Sequence, residues 1–255
     1  IQAGFAQKTP HRGDARVVSD FEIGPLEFVQ VGVFLLELFR IGHHAAEFEH
    51  GEALPIPSGA LLDEDRRGAL RLFNGFTEGH PALVVDLLAR TLLLLTHKVS
   101  ELESHRLAET ALSFYSNTLN WIDCVVLKQR STLDQAKKNG TILSGETPAS
   151  YIIENGVTYA LDLLMNQDAG FYLDTRNLRG WLRDHSAGKT VLNTFAYTGS
   201  LGVAAMAGDA VHVSQIDRNG RFLTLAQESV RLNGLDAKRM DCKAVDFFVG
   251  VGQMK

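Results

Sequence analysis

Residues 190–217, which read TVLNTFAYTGSLGVAAMAGDAVHVSQID, decide the fold. The apolar run Thr190–Phe195 predicts a buried strand, and the small residues Leu201–Ala207 predict a helix that ends at Gly208. A second apolar run, Ala210–Asp217, predicts another strand. The turn between the first strand and the helix contains Gly199, a residue that suits a sharp change of backbone direction.

The next residues continue the same alternation. Asn219–Leu232 predicts an amphipathic helix that stops at Asn233-Gly234, and Lys238–Val245 predicts a third strand. Strands that alternate with helices of this length pair in parallel through crossover connections. We therefore expect the opening half of a doubly wound, Rossmann-like α/β sheet, preceded by a helix over 177–185 that turns Leu178, Trp181 and Leu182 inward.

The residues before this sheet predict a smaller α+β domain. Strands are expected at 70–73, 82–86, 90–97 and 121–127, a helix at 103–120, an exposed polar loop at 128–149, and a hairpin over 151–163 that turns at Asn155-Gly156. Residues 1–65 show helical or irregular character, including a helical stretch over 34–48. The predicted organisation is therefore 1–65, a small α+β domain at 66–165, and the α/β domain at 166–255.

Composition limits the classes of function. The chain has 255 residues, a net charge of −5 and 22% charged residues, so no overall basic excess points to nucleic acid. The apolar run Leu92–Leu95 is far too short to span a membrane, and the N-terminal residues do not resemble a secretory signal. Cys124 and Cys242 are compatible with a reducing compartment, so a cytoplasmic location is predicted. His43-His44 lacks a metal-binding pattern, and no metal site is predicted.

Three features fall at the carboxyl ends of successive predicted strands, where ligands of such sheets bind. Gly199 allows close approach of the backbone, Asp217 could accept hydrogen bonds from two ribose hydroxyls, and Asp246 could accept one from an exocyclic amine. Together they predict an adenosine pocket. Taken singly, Gly199 could serve only a turn, Asp217 could cap the following helix, and Asp246 could be a surface acid.

The turn lacks the Gly-x-Gly pattern that places a dinucleotide pyrophosphate on a helix. An adenosine ligand without phosphate requires less backbone clearance, and S-adenosylmethionine fits this description.

Two motifs also carry a family resemblance. Gly170-Phe171-Tyr172-Leu173-Asp174-Thr175-Arg176, followed by a strand that ends in Tyr197-Thr198-Gly199, resembles the class I methyltransferases of the large-subunit ribosomal RNA type. The resemblance covers about residues 68–255 and extends to Arg71–Gly75 and Gly145–Pro148. It implies a small α+β domain beside a methyltransferase domain.

The resemblance also implies roles for individual residues. Phe171, Asp174 and Arg176 would form the lid and wall around the methionine end of the cofactor. Tyr197, Thr198 and Gly199 would form the cofactor loop, with Asp217 as the ribose acid and Asp246 on the adenine side. Alternatively, Asp174 and Arg176 form a surface ion pair and Phe171 belongs to the core. No catalytic residue is assigned.

The chain departs from the family pattern in two respects. The family's next strand ends in an Asp-Pro-Pro motif, followed in some members by a catalytic cysteine, and the chain stops at Lys255 before either. Because a sheet of three strands would leave exposed edges, we expect the sequence to be incomplete at its C-terminal end. Residues 1–65 also show no strand pattern of the small RNA-binding domain with which family members often begin.

The resulting prediction is an S-adenosylmethionine-dependent methyltransferase acting on a base of ribosomal RNA. A nicotinamide-dependent (NAD) oxidoreductase and a non-catalytic RNA-binding protein remain as alternatives. Lys128, Arg130, Lys137 and Lys138 could contact RNA phosphate or simply form a solvated loop. Whether the protein forms a homodimer is left open.

Overall fold

The computed structural model describes residues 63–252 and, in addition, the backbone of a strand at Phe28–Val31, β1. The strands form a five-stranded sheet, a four-stranded sheet and a two-stranded hairpin. The predicted helical stretch at 34–48 and His43-His44 lie outside the described residues. The domain boundaries near 65 and 165 stay predictions.

The five-stranded sheet is the small α+β unit expected from the sequence. Its elements are β2 (Ala69–Phe73), β3 (Leu83–Leu88), β4 (Thr91–Thr96), α1 (Glu101–Thr118), β5 (Cys124–Gln129), α2 (Gln135–Asn139) and β6 (Thr141–Ser144). The order is β2-β3-β4-β5-β6, antiparallel except for the β4–β5 pair that α1 connects. Helix α1 begins after Ser100, whose hydroxyl accepts from the amide of Glu103. It buries Ala108, Ala111 and Tyr115 against one face of the sheet.

The prediction of an exposed loop over 128–149 is wrong for its first two residues and for its secondary structure, whereas residues 130–149 are exposed or half-buried, as expected. Strand β5 continues through Lys128 and Gln129, both of which are buried, and α2 and β6 follow. The charged and amide side chains suggested a solvated segment. Lys128 is instead accommodated in the interior because backbone carbonyls accept hydrogen bonds from its ammonium group.

The hairpin consists of β7 (Tyr151–Glu154) and β8 (Val157–Ala160), as predicted from Asn155-Gly156. Both turn residues have positive φ, 53° and 77°, as a two-residue hairpin turn requires.

The free edge of β8 docks on a helix of the α/β unit, at Gly220–Leu232. The amides of Thr158 and Ala160 donate to the side chains of Asn233 and Ser229, and the Asn233 amide group donates back to the Thr158 carbonyl. These side chains satisfy the polar edge of a two-stranded sheet, which would be marginal alone.

The four-stranded sheet confirms the predicted parallel α/β arrangement. After helix α3 (Arg176–His185) come β9 (Thr190–Thr194), α4 (Ser200–Ala207), β10 (His212–Asp217), α5 (Gly220–Leu232), β11 (Met240–Ala244) and α6 (Phe247–Gly252). All its pairs are parallel, and the order is β1-β9-β10-β11, so β1 lies on the edge of β9 opposite β10. No helix within residues 63–252 is both long and apolar enough to cross a bilayer.

One predicted orientation in α3 is wrong. Trp181 is 47% exposed and stacks on His185 at 4.7 Å between ring centroids, whereas Leu182 is fully buried. Because Arg179 occupies the inward position beside Leu182, the buried stripe of the helix is turned away from Trp181.

A buried ion pair joins α3 to the hairpin. The Glu154 carboxylate accepts from Arg179 Nε at 2.7 Å and Nη2 at 3.0 Å, and also from Arg176 Nε at 2.9 Å. Burial disfavours ionisation of Glu154, but hydrogen bonds from the two arginines outweigh burial and hold its pKa below the ordinary value. Arg176 also donates to the Ala69 carbonyl in β2, so one carboxylate links three parts of the molecule.

We expect the substitution Arg179→Met to lower the free energy of unfolding by about 3 kcal/mol, because it leaves the buried Glu154 carboxylate with only the half-exposed Arg176. Urea denaturation of the parent and the variant measures the difference. Arg231→Met, which removes an exposed partner of Glu228, is the matched control and should leave the midpoint unchanged. Equal midpoints for all three proteins would contradict the role assigned to Arg179.

Candidate functional site

The loop after β9 has an unusual backbone. Phe195 and Tyr197 adopt positive φ of 57° and 52°, and Gly199 has φ of 74°. Positive φ is uncommon for bulky residues and persists where surrounding contacts enforce it, as at ligand-binding sites. From the sequence, this freedom is expected only at Gly199, so the two aromatic residues are an addition from the structure.

Gly199 is required for close packing inside the protein. A Cβ atom at this position would lie 2.4 Å from the Ala226 Cβ in α5 and 2.8 Å from the buried Gln215 side chain. Gly199 therefore serves the packing of this loop on α5 and β10, and its role in clearing space for a ligand stays a prediction. Gly199 directly precedes α4, whose first-turn amides lack partners within the helix.

Asp217, at the end of β10, ties this strand to the loop after β9. Its Oδ2 accepts from the amide of Tyr197 at 2.8 Å, and its Oδ1 accepts from the amide of Asn219 at 2.9 Å. The alternative that Asp217 caps the following helix is wrong, because the side chain of Asn219 caps α5. A carboxylate has about four acceptor positions, so two remain for a ligand.

Tyr197 is the most connected residue of the loop. Its hydroxyl accepts from the amide of Gly170 at 3.1 Å and from Asn166 Nδ2 at 3.2 Å. Its ring packs between Tyr172 and Phe222, at centroid distances of 5.0 and 4.6 Å. Burial raises the pKa of Tyr197, so the hydroxyl remains protonated near neutral pH.

Thr198, the residue after Tyr197, also contacts Gly170. Its Oγ1 donates to the Gly170 carbonyl at 2.8 Å, and the residue is buried. Tyr197, Thr198, Gly199 and Asp217 therefore come together, as predicted. No signal in the single sequence pointed to the supporting Asn166 or Phe222.

The residues expected around the methionine end of the cofactor do not come together as the residues of the loop after β9 do. Phe171 is only 2% exposed, with the Arg179 guanidinium 3.9 Å from its ring centroid, which matches the alternative of a core residue. Asp174 is exposed, and its negative charge raises the pKa values of Arg71 and Asp86, which pair in the small sheet. Arg176 bonds to Glu154 rather than to Asp174, so the alternative of a mutual ion pair is not observed.

Asp246 lies at the other end of the row of strands. It is exposed, and its Oδ1 accepts from the Phe248 amide at 3.0 Å at the start of α6. The neighbouring Phe247 stacks on Phe195 with a centroid distance of 5.2 Å, although Phe195 is itself 64% exposed. An aromatic pair therefore joins the loop after β9 to the start of α6. Among the described residues, no group of three metal-ligating side chains occurs.

Comparison with known proteins agrees with this geometry. The profile of a family described as S-adenosylmethionine-dependent methyltransferase matches residues 70–255. Ribosomal RNA large subunit methyltransferase I of Shewanella denitrificans is 31% identical over 197 residues, which cover 74% of this chain and 48% of that protein. The enzyme of that name from Yersinia pseudotuberculosis is 30% identical over 196 residues, with 74% and 48% coverage.

Solved structures show the same fold. An S-adenosylmethionine-dependent methyltransferase from Streptococcus mutans superimposes with a TM-score of 0.64 at 24% identity, covering 74% of this chain and 49% of that one. A methyltransferase complexed with S-adenosylhomocysteine (SAH) gives a TM-score of 0.62 at 25% identity, with 74% and 48% coverage. The chain spans about half the length of the curated relatives it matches.

These findings confirm the predicted α/β fold and S-adenosylmethionine as the cofactor of the family, and they favour the methyltransferase prediction over the oxidoreductase alternative. Since the family profile covers well over half of the sequence, this chain belongs to the S-adenosylmethionine-dependent methyltransferases.

Proposed function

We propose that the protein transfers a methyl group from S-adenosylmethionine to a base of large-subunit ribosomal RNA. The RNA substrate is supported by the names of the relatives from Shewanella and Yersinia. The cytoplasmic location predicted from the sequence suits this substrate and is part of the proposal. The proposal does not include a homodimer.

The observation that carries the proposal is the position of Asp217. Its carboxylate ends β10 beside the strained loop and keeps two acceptor positions, a number that suits the paired hydroxyls of a ribose. The first turn of α4 starts from the same loop, so its amides can face the polar tail of the cofactor. Phe195 and Phe247 provide apolar ring faces for the adenine, whereas the predicted contact with Asp246 stays a prediction.

The cofactor supplies an activated donor: the S–CH₃ bond of its sulfonium breaks as a bond to the base forms, the base loses a proton, and SAH leaves. The protein then contributes mainly by fixing the donor relative to the acceptor, since correct placement of two reactants can lower the barrier substantially. A target base within a duplex must leave its stack to reach the loop, or must already be unpaired.

We expect Asp217→Ala to weaken SAH binding by about 10- to 100-fold, the loss of hydrogen bonds to a charged acceptor. Isothermal titration of SAH into the full-length parent and variant measures the change. Asp236→Ala removes an exposed carboxylate that, among the described residues, bonds only to the nearby Lys238 amide, and it should bind SAH like the parent. Equal affinities of the Asp217 variant and the parent would contradict the assignment of the ribose acid.

We also expect the full-length protein to transfer label from methyl-labelled S-adenosylmethionine to large-subunit ribosomal RNA from cells that lack its gene. The same RNA from cells that retain the gene should already be methylated and accept less label. Scintillation counting of the purified RNA measures the transfer, and Asp217→Ala should transfer less label at limiting S-adenosylmethionine. A parent protein that binds SAH and RNA without transferring label would favour the non-catalytic alternative.

A further inference from the structure

Two cationic side chains at the end of strand β5 donate hydrogen bonds to the backbone of a neighbouring segment. We refer to Asn166–Gly170 as the strap. Lys128 Nζ donates to the Asn166 carbonyl at 2.6 Å and to the Asp168 carbonyl at 2.7 Å. From two positions further along, Arg130 Nε donates to the Gln167 carbonyl at 3.2 Å and Nη2 to Asp168 Oδ1 at 2.5 Å. Two cations of the small sheet therefore bind three consecutive strap residues.

The strap in turn holds the cofactor loop. The Asn166 side chain and the Gly170 amide both donate to the Tyr197 hydroxyl, and the Gly170 carbonyl accepts from Thr198 Oγ1. The Tyr197 amide then donates to Asp217 Oδ2 at 2.8 Å. A series of hydrogen bonds, joined through the covalent structure of Asn166 and Tyr197, thus runs from Lys128 to the carboxylate that we assign to the ribose.

Lys128 is an unexpected residue for an interior position. Its side chain is completely buried, and removing a charge from water is costly unless the charge is hydrogen-bonded. Burial lowers its pKa, Asp168 and Asp162 oppose this effect and Arg130 adds to it, and the resulting pKa is about 8. At neutral pH it is therefore an ammonium group.

A Met side chain would fill the same space without the cost of burying a charge, but it would leave the carbonyls of Asn166 and Asp168 without these donors. Compared with Met, the lysine therefore contributes two hydrogen bonds to the strap in addition to its packing.

We propose that Lys128 is a positioning residue for the cofactor: through the strap, it holds Tyr197 and Asp217 in the geometry that binds S-adenosylmethionine. This inference rests on the proposed function, because it assumes that the loop after β9 contacts the cofactor. It also gives the small α+β unit a part in cofactor binding, although Lys128 lies outside the methyltransferase sheet.

The test compares Lys128→Met with Lys238→Met, the same exchange at an exposed position. In the full-length protein, Lys128→Met should raise the Kd of SAH and the KM for S-adenosylmethionine by about tenfold, with a smaller change in kcat at saturation. Lys238→Met should match the parent. A lower Tm of Lys128→Met with unchanged Kd and KM would overturn the proposal, because a purely structural role predicts that result.

A double-mutant cycle asks whether Lys128 acts through the loop. If the strap transmits its effect, Lys128→Met and Tyr197→Phe should change the SAH affinity by less together than the product of their separate effects. Fully multiplicative effects would overturn the proposed route. Asn166→Ala breaks the same series without disturbing the buried lysine and should also weaken binding. If Lys128→Met does not fold, an unchanged affinity of Asn166→Ala overturns the proposal.

Hydrogen exchange without ligand separates this proposal from the function on which it rests. The amides of Gly170 and Tyr197 donate within the series and should exchange at least several-fold faster in Lys128→Met than in the parent. Unchanged exchange would overturn the positioning role even if SAH binds. Faster exchange in a protein whose parent does not bind SAH would support the coupling of strap and loop and overturn only the assignment of the cofactor.

Discussion

The arrangement of the described parts depends on the hydrogen bonds that the buried Glu154 carboxylate accepts from two arginines. This carboxylate lies in the hairpin, accepts from Arg179 in α3, and shares Arg176 with the backbone of β2. Arg179 also donates to the Tyr172 carbonyl and to Thr175 Oγ1, which fixes the turn that leads into α3. Because Tyr172 packs on Tyr197, this carboxylate is also linked to the loop after β9.

The same physical solution occurs at the second contact between the small sheet and the α/β unit. There a buried ammonium, Lys128, and a half-buried guanidinium, Arg130, satisfy carbonyls of the strap. Connecting segments expose carbonyls that no sheet or helix satisfies, and each buried one requires a donor. Directional hydrogen bonds from long cationic side chains meet this need and also set the position of the segment, which apolar packing alone defines less sharply.

Prediction from the sequence succeeded where a repeating pattern governs the structure. The alternation of strands and helices from Thr190 onward, the hairpin at Asn155-Gly156 and helix α1 were all found close to their expected bounds. Prediction failed where the type of a single residue suggested exposure or burial and the surrounding structure imposed the opposite. Lys128 was assigned to a solvated loop and is buried, whereas Trp181 was assigned to the interior and is half exposed. The partners of Lys128 come from a distant part of the chain, and the inward position beside Leu182 in α3 is taken by Arg179, which bonds to Glu154 of the hairpin.

For the site, the sequence by itself determined which residues lie at the strand ends, because parallel pairing brings the carboxyl ends of β9, β10 and β11 to one edge. That was sufficient to predict that Gly199 and Asp217 lie at this edge and to suggest an adenosine ligand. Only the tertiary structure decided which neighbours support them. The hydrogen bond from the Tyr197 amide to Asp217 and the hydrogen bonds from Lys128 to the strap join residues far apart in sequence. Such contacts follow from packing between elements, which no local pattern of residues encodes.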